Sequence, residues 1–108
     1  MSPEFLVVLT TCADMEQARR IAEVLVSEHL AACVNLLPAV ESIYRWEGKI
    51  EQANEVLLLI KSTQERFGEV RERILQLHSY ETPEIICVPI KDGLEKYLTW
   101  MLDSVRGR

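Results

Sequence analysis

Apolar residues recur along the chain with two different spacings, and these spacings predict where the strands and helices lie. Residues Phe5 to Leu9 form a continuous apolar run, which is typical of a strand buried on both faces. Apolar positions then recur every three or four residues from Met15 to His29, and again from Ser62 to His78, which is the period of a helix with one buried face. A third stripe begins near Gly93 and comprises Leu94, Tyr97, Leu98, Met101 and Val105.

Local signals predict the ends of these helices. Asp14 is a preferred N-cap residue and stands directly before the first stripe. Ser62 and Glu65 form the capping-box pattern Ser-x-x-Glu, which predicts that Ser62 caps the second helix. Pro83 disfavours helical backbone in the residues before it, so the second helix is expected to stop near His78.

Two long apolar-rich runs lie between the first two helices and predict a β-hairpin. They extend from Ala31 to Arg45 and from Lys49 to Lys61, and Trp46-Glu47-Gly48 joins them as a turn. Pro38 cannot donate to a strand ladder, so a bulge or bend is expected there. At ~3.3 Å per residue, arms of about 13 residues reach roughly 40 Å, whereas a compact chain of this length has a radius of gyration of only ~13 Å. The hairpin is therefore expected to extend beyond its own domain.

The predicted overhang carries apolar side chains that a monomer would leave in water. They are Val40, Ile43, Tyr44, Trp46 and Ile50. An exposed apolar patch of this kind marks an interaction surface. We therefore expect the arm to pack on other copies of the same chain.

The order of the predicted elements indicates the fold class. A fourth strand is expected from Ile85 to Ile90, and Pro89 predicts that it is an edge strand or ends there. The resulting βαββαβ order is that of the α+β ferredoxin-like fold, here with an extra C-terminal helix. Residues 1–108 are then a single domain, with two helices on one face of a four-stranded antiparallel sheet. Neighbouring subunits, helped by the third helix, are expected to cover the other face.

Composition narrows the class of function. The chain has 108 residues and a formal net charge of −5, which argues against a nucleic-acid binder, because such a protein presents a basic face to phosphates. No apolar run approaches the ~20 residues that span a bilayer. The start, Met1-Ser2-Pro3-Glu4, does not resemble a signal peptide, so a cytoplasmic location is expected.

The number and spacing of the cysteines also favour a reducing, cytoplasmic location. Cys12, Cys33 and Cys87 form no CxxC pair, and their odd number excludes a complete disulfide framework within one chain. A reducing compartment suits this pattern. Cys33 and Cys87 stand among apolar residues and are expected to be buried, inert thiols.

The best candidate for a binding site is the polar segment His78 to Glu84, directly after the second helix. The chain has no phosphate-binding glycine motif, no GxSxG elbow and no HExxH pair, which disfavours an enzyme. The imidazole of His78 and the carboxylates of Glu81 and Glu84 are ligand types for divalent metals. The alternative is structural: His78 complements a helix C-terminus and the carboxylates are solvated. Loops from two or three subunits would supply the ligands that one loop lacks.

Aromatic residues suggest a cleft between subunits. The candidates are Tyr44, Trp46, Tyr80 and Trp100, because an amphipathic ring packs and still offers a hydrogen bond. Packing in the core or at an interface is the alternative for each ring. Tyr97 is expected to serve the apolar stripe of the third helix.

Five segments of the chain together resemble a known family. They are residues 30–35 (LAACVN), 41–50 (ESIYRWEGKI), 55–61 (EVLLLIK), 78–84 (HSYETPE) and 97–100 (YLTW). In this order and spacing they are similar to the CutA-type divalent-cation tolerance proteins. The resemblance implies a cytoplasmic homotrimer with a ferredoxin-like core similar to PII signalling proteins, in which long hairpin arms tie the subunits together. It also implies tolerance to copper and other divalent metals, with no required cofactor.

The resemblance further implies candidate ligands for copper or another divalent metal. His78 and Tyr80 match the family's His-Pro-Tyr segment, whereas Ser79 replaces its proline. Some members have a cysteine near the end of the first strand that is implicated in copper binding. Thr10 stands at that position here, so the cysteine does not transfer one for one, and Cys12, two residues further on, takes its place if the end of the strand is bulged. The predicted metal ligands are therefore His78, Cys12 and Glu81.

Three classes of function follow from these observations. A trimeric metal-binding protein of the CutA type is favoured. The alternative is a PII-like signalling or interaction module that binds a small molecule or a protein partner in its intersubunit clefts. An enzyme is least favoured, because no nucleophile or cofactor motif accompanies His78.

Overall fold

The computed structural model describes residues 4–107. The expectations that concern Met1 to Pro3 and Arg108, namely the lack of a signal segment and the outer limits of the domain, lie outside the described residues. The strands are β1 (Phe5–Cys12), β2 (Cys33–Trp46), β3 (Lys49–Thr63) and β4 (Ile86–Pro89), and the helices are α1 (Met15–Ser27), α2 (Gln64–Leu77) and α3 (Glu95–Val105). No helix in the described part of the chain is long and apolar enough to cross a membrane.

The four strands form one antiparallel sheet in the order β2-β3-β1-β4. Helices α1 and α2 cover one face of it, because their apolar stripes meet alternate residues of the central strands. The fully buried residues of this layer include Val8, Leu58, Ile60, Ile21, Leu25 and Ile74. Full burial of such a side chain contributes about 1.5–3 kcal/mol, so this layer is the main source of stability. The ferredoxin-like prediction, with its extra C-terminal helix, is confirmed.

Helix α3 packs at one end of the sheet and leaves much of the second face uncovered. Its buried residues Met101 and Val105 contact Ala32 and the half-buried Phe5. Other apolar residues of this region remain in solvent: Ile86 is 51% exposed, Val88 48%, Leu94 73% and Tyr97 42%. Part of the stripe predicted for the third helix is therefore not buried within one chain.

Helix α1 begins as predicted and ends two residues early. The Asp14 carboxylate accepts a hydrogen bond from the Gln17 backbone N–H at 2.9 Å, which confirms it as the N-cap. His29 has a φ of 60° and lies in the left-handed region, which stops the helix at Ser27. Its ring Nδ1 instead lies 3.0 Å from the Ser104 carbonyl, at the end of α3.

The predicted capping box of the second helix is wrong. Ser62 lies within β3, and its hydroxyl donates to the carbonyl of Leu30 at 2.6 Å in the buried core. The N-cap of α2 is Thr63, whose side chain makes no capping hydrogen bond. The ladder between β3 and β1 extends to Thr63 and Phe5, so the sheet holds these residues in extended backbone. Helix α2 ends at Leu77, as Pro83 predicted.

The hairpin has the predicted length and overhang. Strands β2 and β3 pair from Cys33 with Lys61 to Trp46 with Lys49. The molecule measures 45 × 26 × 22 Å, and its radius of gyration of 14.5 Å exceeds that of a compact chain of this length. Apolar side chains near the tip are exposed, with Ile43 at 68%, Trp46 at 58% and Ile50 at 73%.

Two backbone irregularities shape the hairpin. Glu47 and Gly48 alone form the turn, with φ values of 49° and 78°, which is the positive-φ pair of a tight two-residue hairpin. The register shifts between Leu37 and Val40, and Ala39 has a φ of 61°. This is the bulge that Pro38 predicted. Proline also ends the edge strand β4, whose last residue is Pro89.

Candidate functional site

A cleft of about 820 Å³ opens between the hairpin and the loop that follows α2. The loop contributes residues 80–84, and β1 contributes Thr11. The hairpin contributes Ser42, Ile43, Tyr44, Trp46 and Glu55. Apart from Thr11, the lining residues belong to three of the five segments that carry the family resemblance, 41–50, 55–61 and 78–84.

The bulge in β2 determines which hairpin side chains face this cleft. Val40 pairs with Glu55, so Ser42, Tyr44 and Trp46 follow on the same face of the hairpin at two-residue intervals. Leu37 pairs with Leu57, so an unbroken ladder would have placed odd-numbered residues of β2 on that face. The extra residue reverses the alternation, as any one-residue slip does. The bulge thus brings Tyr44 and Trp46 to the side of Glu55.

A buried carboxylate and a phenol form the inner wall of the cleft. Glu55 is only 9% exposed, and its Oε2 accepts a hydrogen bond from the Tyr80 hydroxyl at 2.7 Å. Burial, followed by the hydrogen bond and the charge of Glu55, raises the pKa of Tyr80 above its usual range. The phenol therefore keeps its proton and acts as the donor.

His78 lies next to Tyr80, and both of its ring nitrogens have backbone partners. Its Nδ1 lies 3.0 Å from the backbone N–H of Tyr80 and must accept from it. Its Nε2 lies 2.7 Å from the Thr11 carbonyl and must donate to it. These partners assign a neutral imidazole with the proton on Nε2. The ring also packs on the Tyr80 ring, with 4.7 Å between the centroids.

Cys12 completes this cluster at the end of β1. Its sulfur lies 3.9 Å from Nε2 of His78, and its side chain is fully buried. Burial above all, and then the charges of Asp14 and Glu55, raises the pKa of Cys12 to about 11. The side chain is therefore a thiol at neutral pH.

The expectation for the other two cysteines is only partly right. Cys33 and Cys87 are half-buried rather than buried, and Cys12 is the fully buried cysteine. Cys33 pairs with Lys61 on the sheet face away from α1 and α2, and Cys87 lies on the edge strand, so neither is enclosed.

The structure brings together some of the predicted site residues and not others. Cys12 and His78 meet, and Tyr44, Trp46 and Tyr80 share the cleft. Glu81 lies exposed on the loop side of the cleft. Trp100 lies on α3, packed against Tyr97 with 5.4 Å between ring centroids, and does not line the cleft of its own chain.

No metal-binding group of three His, Cys, Asp or Glu side chains occurs among residues 4–107. The assignment of His78, Cys12 and Glu81 as ligands therefore stays a prediction. The bulge expected at the end of the first strand is absent, because β1 pairs with β3 in unbroken register from Phe5 to Cys12. The protons on the Cys12 thiol and on Nε2 of His78 would both have to leave those atoms before a metal could bind there.

Sequence reasoning missed Glu55 as a functional residue. The sequence patterns mark it only as the first residue of the segment 55–61. The signal was present, because Glu55 is a lone carboxylate at the start of the apolar run Val56 to Ile60. Charged residues are rarely buried without a partner. That partner, Tyr80, is 25 residues away, so only the folded chain identifies it.

Comparison with known proteins gives consistent matches over most of the chain. The family model described as CutA1 divalent ion tolerance protein matches residues 6–104. The divalent-cation tolerance protein CutA of Thermus thermophilus is 47% identical over 98 residues, which are 91% of this chain and 95% of the relative. The crystal structure of CutA from Xylella fastidiosa superposes with a TM-score of 0.92 at 42% identity, covering 94% of this chain and 97% of that one. A structure described as the periplasmic divalent cation tolerance protein CutA of Archaeoglobus fulgidus has a TM-score of 0.90 at 41% identity, covering 96% and 99%.

Proposed function

The chain belongs to the family of CutA1 divalent ion tolerance proteins, and on that premise we propose that it acts in divalent-cation tolerance as a cytoplasmic homotrimer. In this proposal it binds a divalent or soft metal, copper in the first instance, in or near the clefts between its subunits. The family is not known as an enzyme family, and the proposed role is binding rather than catalysis.

The exposed hairpin tip supports the oligomer. Ile43, Trp46 and Ile50 are each more than half exposed, although they are large apolar side chains near the end of a two-stranded arm. A second apolar area, which includes Ile86 and Val88, lies on the sheet face away from α1 and α2. Burying such surfaces on another copy yields about 25 cal/mol per Å² of apolar area. Both areas would then be interfaces.

The contact between Cys12 and His78 carries the metal proposal. A thiolate is a soft ligand and an imidazole a borderline one, and the two together suit copper. The pair lies at the end of β1, next to the loop that carries Glu81. Two ligands from one subunit are too few for a stable site, so a neighbouring subunit would supply the others.

Titration of the reduced, assembled protein with Cu(I) against a competing chelator tests this proposal. Light scattering on the same sample is expected to give the mass of a trimer. We expect Cys12→Ser to weaken copper binding at least tenfold, because the soft ligand is lost. Cys87→Ser is the matched control, since it removes a thiol outside the pair and should leave the affinity unchanged. Equal affinities for the wild type and Cys12→Ser would reject this pair as the site.

Location and tolerance are tested in cells. We expect the chain to fractionate with the cytoplasm and to restore growth of a copper-sensitive bacterial host on copper. Recovery in a periplasmic fraction, the compartment named for the Archaeoglobus relative, would overturn the cytoplasmic part of the proposal.

The volume of the cleft favours a second candidate function, a PII-like module that binds a small molecule. Its volume of about 820 Å³ lies within the ~300–1,000 Å³ typical of ligand pockets. Its walls combine aromatic rings with a few polar groups, as such pockets do. A thermal-shift screen of metabolites tests this candidate, and the absence of any stabilising compound would reject it.

A further inference from the structure

We propose that the cleft recognises an organic monocation, an alkylammonium or guanidinium group, held between the carboxylate of Glu55 and the rings of Tyr44 and Trp46. The inference rests on the second candidate function, because it names the ligand class of that cleft. It does not depend on copper binding at Cys12 and His78.

The first argument is the unbalanced charge of Glu55. The side chain is nine-tenths buried, and among residues 4–107 its hydrogen-bond donor is the neutral hydroxyl of Tyr80. No ion pair in the described part of the chain includes Glu55. A buried carboxylate is costly unless a cation or several donors compensate it. Its second oxygen, Oε1, accepts no hydrogen bond from the described residues and is not one of their enclosed unpaired atoms, so a ligand can reach it.

The net charge of the residues that line the cleft is negative, which agrees with this argument. Its described lining has three carboxylates, from Glu55, Glu81 and Glu84, and no lysine, arginine or histidine. The charge of Glu55 also helps to raise the pKa values of both Tyr80 and Cys12, so the negative field reaches its surroundings. A phosphate or carboxylate ligand would be repelled here, whereas a cation would be attracted.

The aromatic walls select an organic cation over a bare metal ion. Tyr44 and Trp46 are 44% and 58% exposed, and the bulge in β2 places them on the face of Glu55. The face of an aromatic ring attracts ammonium and guanidinium groups by about 0.5–2 kcal/mol. Divalent hard metals instead require several oxygen ligands converging on one point. The described residues offer no such cluster.

The same chemistry has two sources, a free amine or a lysine or arginine side chain of a second copy. The fluorescence of Trp46 reports binding from either source once Trp100→Phe removes the only other tryptophan in the sequence. In that background we titrate the assembled protein with n-butylammonium chloride, using sodium chloride at equal ionic strength as the blank and AMP as the anionic comparison. A saturable change of Trp46 emission with butylammonium alone is the expected result for a free-amine site.

Variants assign the response to the proposed residues. Glu55→Gln is expected to weaken butylammonium binding at least tenfold, because it removes the charge and keeps the shape. Glu41→Gln is the matched control, since it removes an exposed carboxylate of the same hairpin that lies on the other face from Glu55 and does not line the cleft. Tyr44→Leu, at a position that is 44% exposed, is expected to weaken binding about threefold to tenfold, in line with the loss of a cation–π contact.

The second source gives a different pattern. If a neighbouring copy fills the site, butylammonium changes nothing, while Glu55→Gln but not Glu41→Gln raises the subunit dissociation constant at least tenfold in sedimentation. The proposal is overturned if Glu55→Gln changes neither amine binding nor assembly, or if AMP binds more tightly than butylammonium. Copper affinity measured on the same variants keeps this result separate from the metal proposal, because Glu55 is not one of the proposed metal ligands.

Discussion

The sulfur of Cys12 lies 3.9 Å from Nε2 of His78, although 66 residues separate them along the chain. Both partners carry protons in this arrangement, the thiol because it is buried and Nε2 because it donates to the Thr11 carbonyl. The contact therefore joins two uncharged side chains that pack against each other. A metal that binds Nε2 must shift the proton to Nδ1, which ends the hydrogen bond from the Tyr80 backbone.

Protonation of Cys12 predicts a loss of stability at alkaline pH. The pKa of Cys12 is raised from about 9 to about 11 in the folded chain, so the protonated thiol is favoured by folding. This contribution is fully present below about pH 9 and is lost as the pH rises towards about 11. We expect the free energy of unfolding to fall by about 2–3 kcal/mol across that window, as measured by urea denaturation at fixed protein concentration.

The control for this prediction is Cys12→Ala. It should be less stable at neutral pH but should lose less stability between pH 9 and 11 than the wild type. In the unfolded chain Tyr80 titrates near its ordinary pKa of about 10, so Tyr80 also lowers the stability above about pH 10 in both proteins, and the difference between their pH profiles reports on Cys12. Cys87→Ala should keep the wild-type dependence, and identical pH profiles for the wild type and Cys12→Ala would contradict the assignment.

Removal of the Tyr80 hydroxyl is expected to destabilise the cleft wall. Tyr80→Phe leaves the carboxylate of Glu55 buried without its donor, which costs about 1–3 kcal/mol. Tyr44→Phe removes an exposed hydroxyl and should change the free energy of unfolding by less than about 0.5 kcal/mol. Denaturation of Tyr80→Phe, of Glu55→Gln and of the double variant measures the coupling between the two side chains. Additive losses in the double variant would show that the hydrogen bond does not contribute.

Ser62→Ala is expected to weaken the whole domain rather than one helix end. The hydroxyl of Ser62 donates to the Leu30 carbonyl inside the core, and a lost buried partner costs about 1–3 kcal/mol. Amide hydrogen exchange should therefore show lower protection throughout the sheet. Lower protection limited to the first turn of α2 would instead support the capping-box interpretation. Thr63→Ala is a comparison within the same segment, because this N-cap side chain makes no capping hydrogen bond.

Thr10→Val is expected to stabilise the protein. Thr10 is fully buried in β1, and its hydroxyl oxygen has no hydrogen-bond partner among the described residues. Valine keeps the branched shape and strand propensity and removes the unpaired polar group, with an expected gain of about 1 kcal/mol. Thr10→Ser, which keeps the hydroxyl and loses the methyl group, should be less stable than the wild type. Thermal denaturation of the two variants checks the sign, and a lower midpoint for Thr10→Val would indicate that the hydroxyl is satisfied.

Much of the fold could be predicted from the sequence because its signals act within a few residues. Asp14 caps α1 through a bond to a residue three positions away, and Glu47 with Gly48 closes the hairpin turn locally. The alternating and helical apolar spacings predicted the order of elements, and Pro38 and Pro89 predicted the bulge and the strand end. These are properties of the backbone and of neighbouring side chains, so the linear pattern contains them.

Other features were decided by contacts between distant segments. Ser62 donates a hydrogen bond to the Leu30 carbonyl instead of capping α2. Cys12 is fully buried in the core between the sheet and the helices. Glu55 accepts a hydrogen bond from Tyr80, which is 25 residues away along the chain. The linear pattern indicates which residues are polar or apolar, but the depth of burial and the partner of a polar group depend on packing. The sequence therefore determined the fold class and the candidate loop. Only the tertiary structure decided which side chains share the cleft and which of the thiol, phenol and imidazole groups carry a proton. The physical reason is that desolvation and hydrogen bonding in the core depend on three-dimensional neighbours, which spacing along the chain does not specify.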